Sequence, residues 1–235
     1  MKIKTLNLSK SFIVDNKKID VIKNINFESA ENGITIILGK SGCGKTTFLR
    51  LLSGLEKADN GDVIIENNAK ISMVFQEPRL MPWLNVFDNI TFAMNKNKKD
   101  ENKIYELIDM IGLNRFDKAY PSQLSLGMMQ RVSIARALAN DGDIILMDEP
   151  FASLDYFTRE TLQNEIINIY KLNKKSIIFV THSIDEALIL GEKIIIFENG
   201  IIKKEYDLSN IEYKRNILSD ELINIKKDIL NSIKN

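Results

Sequence analysis

Residues 2–8 (KIKTLNL) alternate apolar and polar positions, and Ile19 to Phe27 repeats the alternation, which predicts two half-buried antiparallel strands at the start of the chain. After Gly33 the pattern changes. ITIIL is a continuous apolar run, as expected of a strand buried on both faces, and it leads through the glycine-rich GKSGCGKTT into the helical TFLRLLSGL. Val63 to Glu66 and Ile71 to Phe75 predict two further strands, followed by QEPRLMPWL, where two prolines stop regular structure. From Asn85 to about Ala139 the strand period disappears. NVFDNITFAM, NKIYELIDMIGL and GMMQRVSIARALA all carry apolar spacing of three and four, which predicts an inserted helical lobe. The alternation of strand and helix then returns: strand Asp143 to Met147, helix Thr158 to Leu172, strand Ser176 to Val180, helix Ile184 to Leu190, strand Lys193 to Phe197. Such βαβ units build a mainly parallel sheet. Asn199 and Gly200 read as a hairpin turn into IIKKEY. From Ser219 onward, Leu222, Ile225, Ile229 and Ile233 lie on one stripe of an amphipathic C-terminal helix.

Composition narrows what such an α/β chain does. Its 235 residues fit one large domain with an inserted lobe, and 44% hydrophobic with 27% charged residues is an ordinary globular balance. Lys plus Arg and Asp plus Glu both total 32, so no net positive field gathers nucleic acid or an anionic bilayer. No nucleic-acid partner is expected. The lone cysteine, Cys43, has no internal disulfide partner, and the start MKIKTLNLSKSF has no stretch of signal-peptide character, so a cytosolic setting is expected. Every apolar run is broken by charge well before the ~18 residues that cross a bilayer.

The chemistry is concentrated at strand ends. Gly39-Lys40-Ser41-Gly42-Cys43-Gly44-Lys45-Thr46, continued by Thr47, fits the pattern of Gly, four residues, Gly-Lys-Ser/Thr, and stands between a buried strand and a helix. Glycines let successive N–H groups turn inward on phosphate, and the helix N-terminus adds partial positive charge. Lys45 would neutralise β- and γ-phosphate oxygens of ATP while the Thr46 hydroxyl takes a position on Mg²⁺. Cys43 reads as a small filler. Ile144-Ile145-Leu146-Met147-Asp148-Glu149 ends a second buried strand with two carboxylates: Asp148 is assigned to Mg²⁺ and Glu149 to general base. His182, the single histidine, follows the strand SIIFV at the same sheet edge, where it would bond the γ-phosphate and hold the attacking water.

In this order the phosphate loop, QEPRL at Gln76, LSLGMMQR at Ser125, LMDEPFASLD and VTHS resemble the nucleotide-binding subunits of ATP-binding cassette transporters, over nearly the whole chain. That resemblance implies a RecA-like P-loop NTPase core with a mainly parallel sheet, an antiparallel β subdomain and an inserted α-helical subdomain. Residues 1–84 and 140–206 would form the core with its antiparallel part, 85–139 the helical subdomain carrying the signature, and 207–235 a C-terminal helical tail. It also implies a head-to-tail dimer in which each ATP lies between one copy's phosphate loop and the other's signature. Carried onto this sequence, Gln76 would touch Mg²⁺ and relay the state of the site to a membrane partner. Ser125 and Gly127 would reach the γ-phosphate of the opposite copy, and Asp155 would lie at that seam. Phe12 would stack under adenine, a contact worth about 1–3 kcal/mol; the competing reading is a core Phe at a strand end. In the signature, Leu126 stands where the family usually has glycine. A side chain there brings restricted φ and a weaker grip on the opposing phosphate, unless the position is helical and the side chain turns outward.

The stretch from Pro78 to Asn89 (PRLMPWLNVFDN) resembles that of the nitrate, sulfonate and taurine importer group. Leu80, Met81, Trp83 and Phe87 would line a groove for a short permease helix, or else pack the helical lobe. The expected function is therefore an ATPase at the cytoplasmic face of the membrane. It would energise import of a small anion through a separate permease, with an extracellular solute-binding protein as indirect partner. Two rivals are a soluble cassette ATPase acting on DNA or ribosomes, and an ATP-binding regulatory module that does not hydrolyse.

Overall fold

The computed structural model describes residues 1–92, 94, 100–173 and 175–234. The chain divides into two compact units, residues 1–69 with 169–235, and residues 70–168, the division falling within one helix.

The first unit carries two sheets. β1 (Ile3–Val14), β2 (Lys17–Glu28) and β4 (Asn60–Ile65) form an antiparallel sheet in the order β2-β1-β4. β3 (Ile34–Leu38), β7 (Ser176–Thr181), β8 (Lys193–Glu198) and β9 (Ile201–Asp207) run in the order β7-β3-β8-β9. β3 is parallel to both β7 and β8, and β9 closes the edge as an antiparallel hairpin through Asn199 and Gly200. The apolar run ITIIL is buried along its whole length, as a central strand demands. Beneath the loop that follows β3, helix α1 (Lys45–Leu52) is anchored by Phe48, fully buried between Phe27 at 5.3 Å in edge contact and Phe197 at 5.5 Å stacked. Helices α6 (Ile184–Leu190) and α7 (Asp220–Lys234) complete the unit. On α7, Leu222 and Ile229 of the expected stripe are buried, and Ile225 and Ile233 are half-buried.

Both opening strands are longer than the alternation predicts. β1 runs on to Val14 because irregularities between Thr5, Leu8, Lys10 and Ser11 let it continue pairing while breaking the two-residue period. Asn7, at φ 49, takes one of these bends.

In the second unit β5 (Ile71–Val74) and β6 (Ile144–Asp148) pair in parallel, Val74 opposite Met147. Between them in the chain lie α2 (Val86–Thr91), α3 (Glu101–Met110) and α4 (Leu126–Ala139), and no strand forms in this stretch among the described residues. Asn85 caps α2 by accepting from the Asp88 N–H at 2.8 Å, as a helix N-terminus with Asn in that place should. Of the helix expected over 85–94, Ala93 lies outside the described residues, as does Asn235 of the tail. α5 (Tyr156–Asn173) follows β6. No helix among the described residues is long and apolar enough to cross a membrane.

Candidate functional site

The loop after β3 is shaped by its glycines. A Cβ on Gly39 would come within 2.2 Å of the Phe197 carbonyl, so only glycine lets the chain pass β8 there. Gly44 caps α1 at φ 108, the left-handed region, and offers no side-chain hydrogen bond to the helix. A glycine cap leaves the helix start open to approach, and a helix N-terminus is where an anion is received. Lys45 is 4% exposed, and its ammonium donates to the Gly39 and Lys40 carbonyls, both at 2.9 Å. Lys40, Ser41 and Gly42 are exposed; Cys43, Gly44, Thr46 and Thr47 are half-buried. Burial pushes the Cys43 thiol up, partly offset by the Lys45 charge, which keeps it protonated and inert. The loop is also tied from outside by Gly200, whose N–H donates to the Cys43 carbonyl at 3.1 Å.

His182 leaves the neighbouring strand. Leu38 at the end of β3 pairs with Thr181 at the end of β7, so the phosphate loop and His182 depart from adjacent strand ends on one edge. The turn presenting His182 is locked on both sides. Thr181 donates to Glu186 at 2.5 Å and accepts from the Ser183 N–H at 3.0 Å, while Ser183 caps α6. His182 itself is exposed. Phe12, half-buried, pairs across the hairpin with Ile19, and the Lys10 ammonium lies 5.1 Å from its ring centroid.

The second unit repeats the logic. Gln76 follows β5 and Asp148 ends β6, so both leave paired parallel strands at the same end. Asp148 is 3% exposed. Glu149 is half-buried, with φ 43, an uncommon left-handed conformation for a side chain of this size. Within this unit Gln76 and Asp148 supply an amide oxygen and a carboxylate, and in the first unit Thr46 supplies a hydroxyl; each is a hard oxygen donor of the kind that suits Mg²⁺.

Ser125 caps α4, its Oγ accepting from the Met128 N–H at 3.2 Å. Leu126 occupies the first helical position with its side chain 56% exposed, and it is absent from the residues at positive φ. The backbone conflict expected of a side chain at 126 therefore does not arise. Gly127 is hemmed in: a Cβ there would lie 3.3 Å from the Ser153 carbonyl, which sets the signature against the loop leading to Asp155. Asp155 is exposed and caps α5, accepting from Thr158 N–H at 3.0 Å and Thr158 Oγ1 at 2.6 Å. Those bonds hold its carboxyl below the usual range.

Of the groove residues, Trp83 is 68% exposed and Met81 lines a cavity of about 300 Å³ with Met73, Phe75 and Phe92. Phe87 instead stacks toward Tyr105 of α3, ring centroids 5.4 Å apart, and so packs the helical lobe. Sequence reasoning missed Gln130 and Arg136 of α4, whose side chains reach backbone carbonyls around Gln76. The available signal was long polar side chains, Gln130 and Arg136 with Arg131, on a mostly buried helix, where each needs a partner.

The protein family described as ABC transporter matches residues 22–152. An uncharacterized ABC transporter ATP-binding protein of Methanocaldococcus jannaschii is 42% identical over 100% of this chain and 92% of its own length. The aliphatic sulfonates import ATP-binding protein SsuB of Bacillus cereus is 38% identical over 98% of this chain and 95% of its own. Among solved structures, the ATP-binding cassette MJ0796, a dimer bound to ADP and Pi, superposes with a TM-score of 0.81 at 32% identity, over 88% of this chain and 98% of that one.

Proposed function

The chain belongs to the ABC transporter family as an ATP-hydrolysing, ATP-binding subunit, and on that premise we propose that it energises import of a small sulfonate or similar anion through a separate membrane permease. The observation that carries the reading is the first turn of α1. Its cap residue Gly44 brings no side chain to the helix start, and the Lys45 ammonium lies on the Gly39 and Lys40 carbonyls of the same loop, so a triphosphate entering there would meet a helix N-terminus with an ammonium beside it.

In the proposed site Lys45 and the backbone from Gly39 to Thr47 hold the β- and γ-phosphates, and Phe12 with Ile19 offers an apolar surface to the base. Bound Mg²⁺, held by Thr46, Gln76 and Asp148, would offset phosphate charge. Glu149 takes the proton of the attacking water, an effect of about 10²- to 10⁴-fold. His182, held by the Thr181–Ser183 turn, aligns that water against the γ-phosphate. Ser125 and Gly127 act on the ATP of a second copy, with Asp155 at the seam, as a head-to-tail pair requires.

Residues 85–139 act as the helical subdomain, and the cavity of Met73, Phe75, Met81 and Phe92 receives a permease helix, with exposed Trp83 at its rim. This assigns the protein to the cytoplasmic face of the membrane and makes an extracellular solute-binding protein its indirect partner. The aliphatic sulfonate importers among its relatives support the choice of cargo. The test is ATPase activity with and without the permease in lipid, in the presence of a sulfonate-loaded binding protein. Stimulation by the permease supports transport; tight ATP binding without stimulation supports a regulatory module instead.

A further inference from the structure

The segment carrying Gln76 contains no glycine, yet its turn is tightly fixed. Three carbonyls account for this. Gln130 Nε2 donates to the Phe75 carbonyl at 3.0 Å, immediately before Gln76. The Arg136 guanidinium donates through Nη1 to the Arg79 carbonyl at 2.9 Å and through Nη2 to the Pro78 carbonyl at 3.0 Å. Between these anchors Arg79 stands at φ 47, a left-handed conformation that a side-chain residue keeps only when its surroundings hold it. Its own guanidinium lies 4.2 Å from the Phe75 ring centroid, closing the turn on itself.

Both donors are costly to bury. Gln130 is 1% exposed and its Oε1 has no hydrogen-bond partner among the described residues. Burial also lowers the Arg136 guanidinium, which donates to the Arg79 and Pro78 backbone carbonyls. A helix that only needed to pack would place apolar residues at both positions. Gln130 and Arg136 lie on α4, and α4 begins at the signature residue Ser125. One helix of 14 residues thus has the signature at its start and the two holders of the Gln76 segment further along. Arg136 and Arg79 also line the cavity of about 300 Å³ with Phe75 and Met81.

We infer that Gln130 and Arg136 are positioning residues: through the Phe75, Pro78 and Arg79 carbonyls they set the place of Gln76 from the signature helix, so that displacement of α4 moves Gln76 with it. The inference rests on the proposed reading of Gln76 as a Mg²⁺-touching residue, and the experiment separates the two.

Full-length wild type, Arg136→Lys, Gln130→Met and Gln76→Ala are compared. Lysine keeps the charge of Arg136 but not its two-pronged geometry, and methionine keeps the bulk of Gln130 without its amide. The first measurement is amide hydrogen exchange without nucleotide. Faster exchange in residues 76–84 of Arg136→Lys and Gln130→Met, with the phosphate-loop peptide unchanged, is the expected result, and emission from Trp83, the single tryptophan, shifts with it. The second is the Mg²⁺ concentration giving half-maximal ATPase at saturating ATP. It rises about three- to tenfold in both variants, the equilibrium equivalent of one net hydrogen bond, while KM for ATP at saturating Mg²⁺ stays within about twofold. Unchanged exchange in 76–84 in variants that fold overturns the inference. Should Arg136→Lys not fold, Gln130→Met alone decides it. If exchange rises but Gln76→Ala leaves the Mg²⁺ requirement at the wild-type value, the positioning stands and the reading of Gln76 falls.

Discussion

Two helix starts in this protein face the same task and are finished differently. α1 begins at Gly44, a cap residue that has no side chain with which to bond its first turn. α4 begins at Ser125, whose hydroxyl already holds the Met128 N–H. The first has a glycine cap followed by a lysine whose ammonium bonds the Gly39 and Lys40 carbonyls of its own loop. The second is capped by its own serine, which in the proposed dimer would turn from Met128 toward a phosphate. The difference teaches that the two halves of the proposed ATP site are not equally ready. In the proposed reading the phosphate loop receives ATP within a single chain. In that proposal the signature is a conditional contact, capped by its own serine until a second copy brings a nucleotide to it.

The sharpest way to break the comparison is Lys45→Ala. It removes the charge that meets the β- and γ-phosphates, and ATPase kcat/KM should fall by about 10²- to 10³-fold, the scale of losing a preorganised charge donor. Steady-state hydrolysis and nucleotide titration check it. Ser125→Ala tests the other end. Removing the cap costs about 1 kcal/mol of stability, leaves ATP binding by the single chain unaltered, and weakens hydrolysis only at concentrations where two copies pair. A binding defect in dilute protein would erase the distinction between the two ends. Smaller still is Leu126→Gly. The side chain is exposed at the first helical position, so glycine should cost less than about 1 kcal/mol and leave turnover unchanged; a faster ATPase would mean that the leucine hinders the opposing phosphate after all.

The smallest effect lies away from both ends. Tyr170 is pushed up to about 12, first by burial and then by its hydrogen bond to Glu192 at 2.7 Å. The folded state holds this proton after the unfolded chain has lost it near pH ~10, so this contribution to stability is present below that pH and declines as pH rises toward 12. Thermal unfolding between pH 9 and 11 should show a steeper fall for wild type than for Tyr170→Phe.

What was legible in the sequence followed from strong local constraints. ITIIL and the loop after it were read at their observed place because an uninterrupted apolar strand followed by glycines at fixed spacing has few other solutions. His182 was legible through its position after SIIFV, and the pairing of Leu38 with Thr181 shows why that position puts it beside the loop. The length of β1 was not legible, since the irregularities that let it continue to Val14 are also what erase the two-residue period. The conformation at Leu126 had to be observed, because leucine suits a helix start and a loop alike. Phe87 stays open between groove and helical lobe in the sequence, since its spacing allows both, and only the fold shows its ring tilted against that of Tyr105 at 5.4 Å. The fixing of the Gln76 segment was invisible for another reason. Gln130 and Arg136 reach backbone carbonyls more than fifty residues away in sequence, and a carbonyl acceptor carries no residue signature.

The central claim is that ATP is held between the phosphate loop of one copy and the signature of another. Sedimentation of Glu149→Gln with Mg²⁺-ATP tests it most directly, beside the double variant that adds Ser125→Glu. The account predicts that Glu149→Gln moves from monomer to dimer on adding ATP, and that the double variant still binds ATP but stays monomeric. A Glu149→Gln chain that binds ATP without pairing, or a dimer that forms equally well with glutamate at position 125, would contradict it.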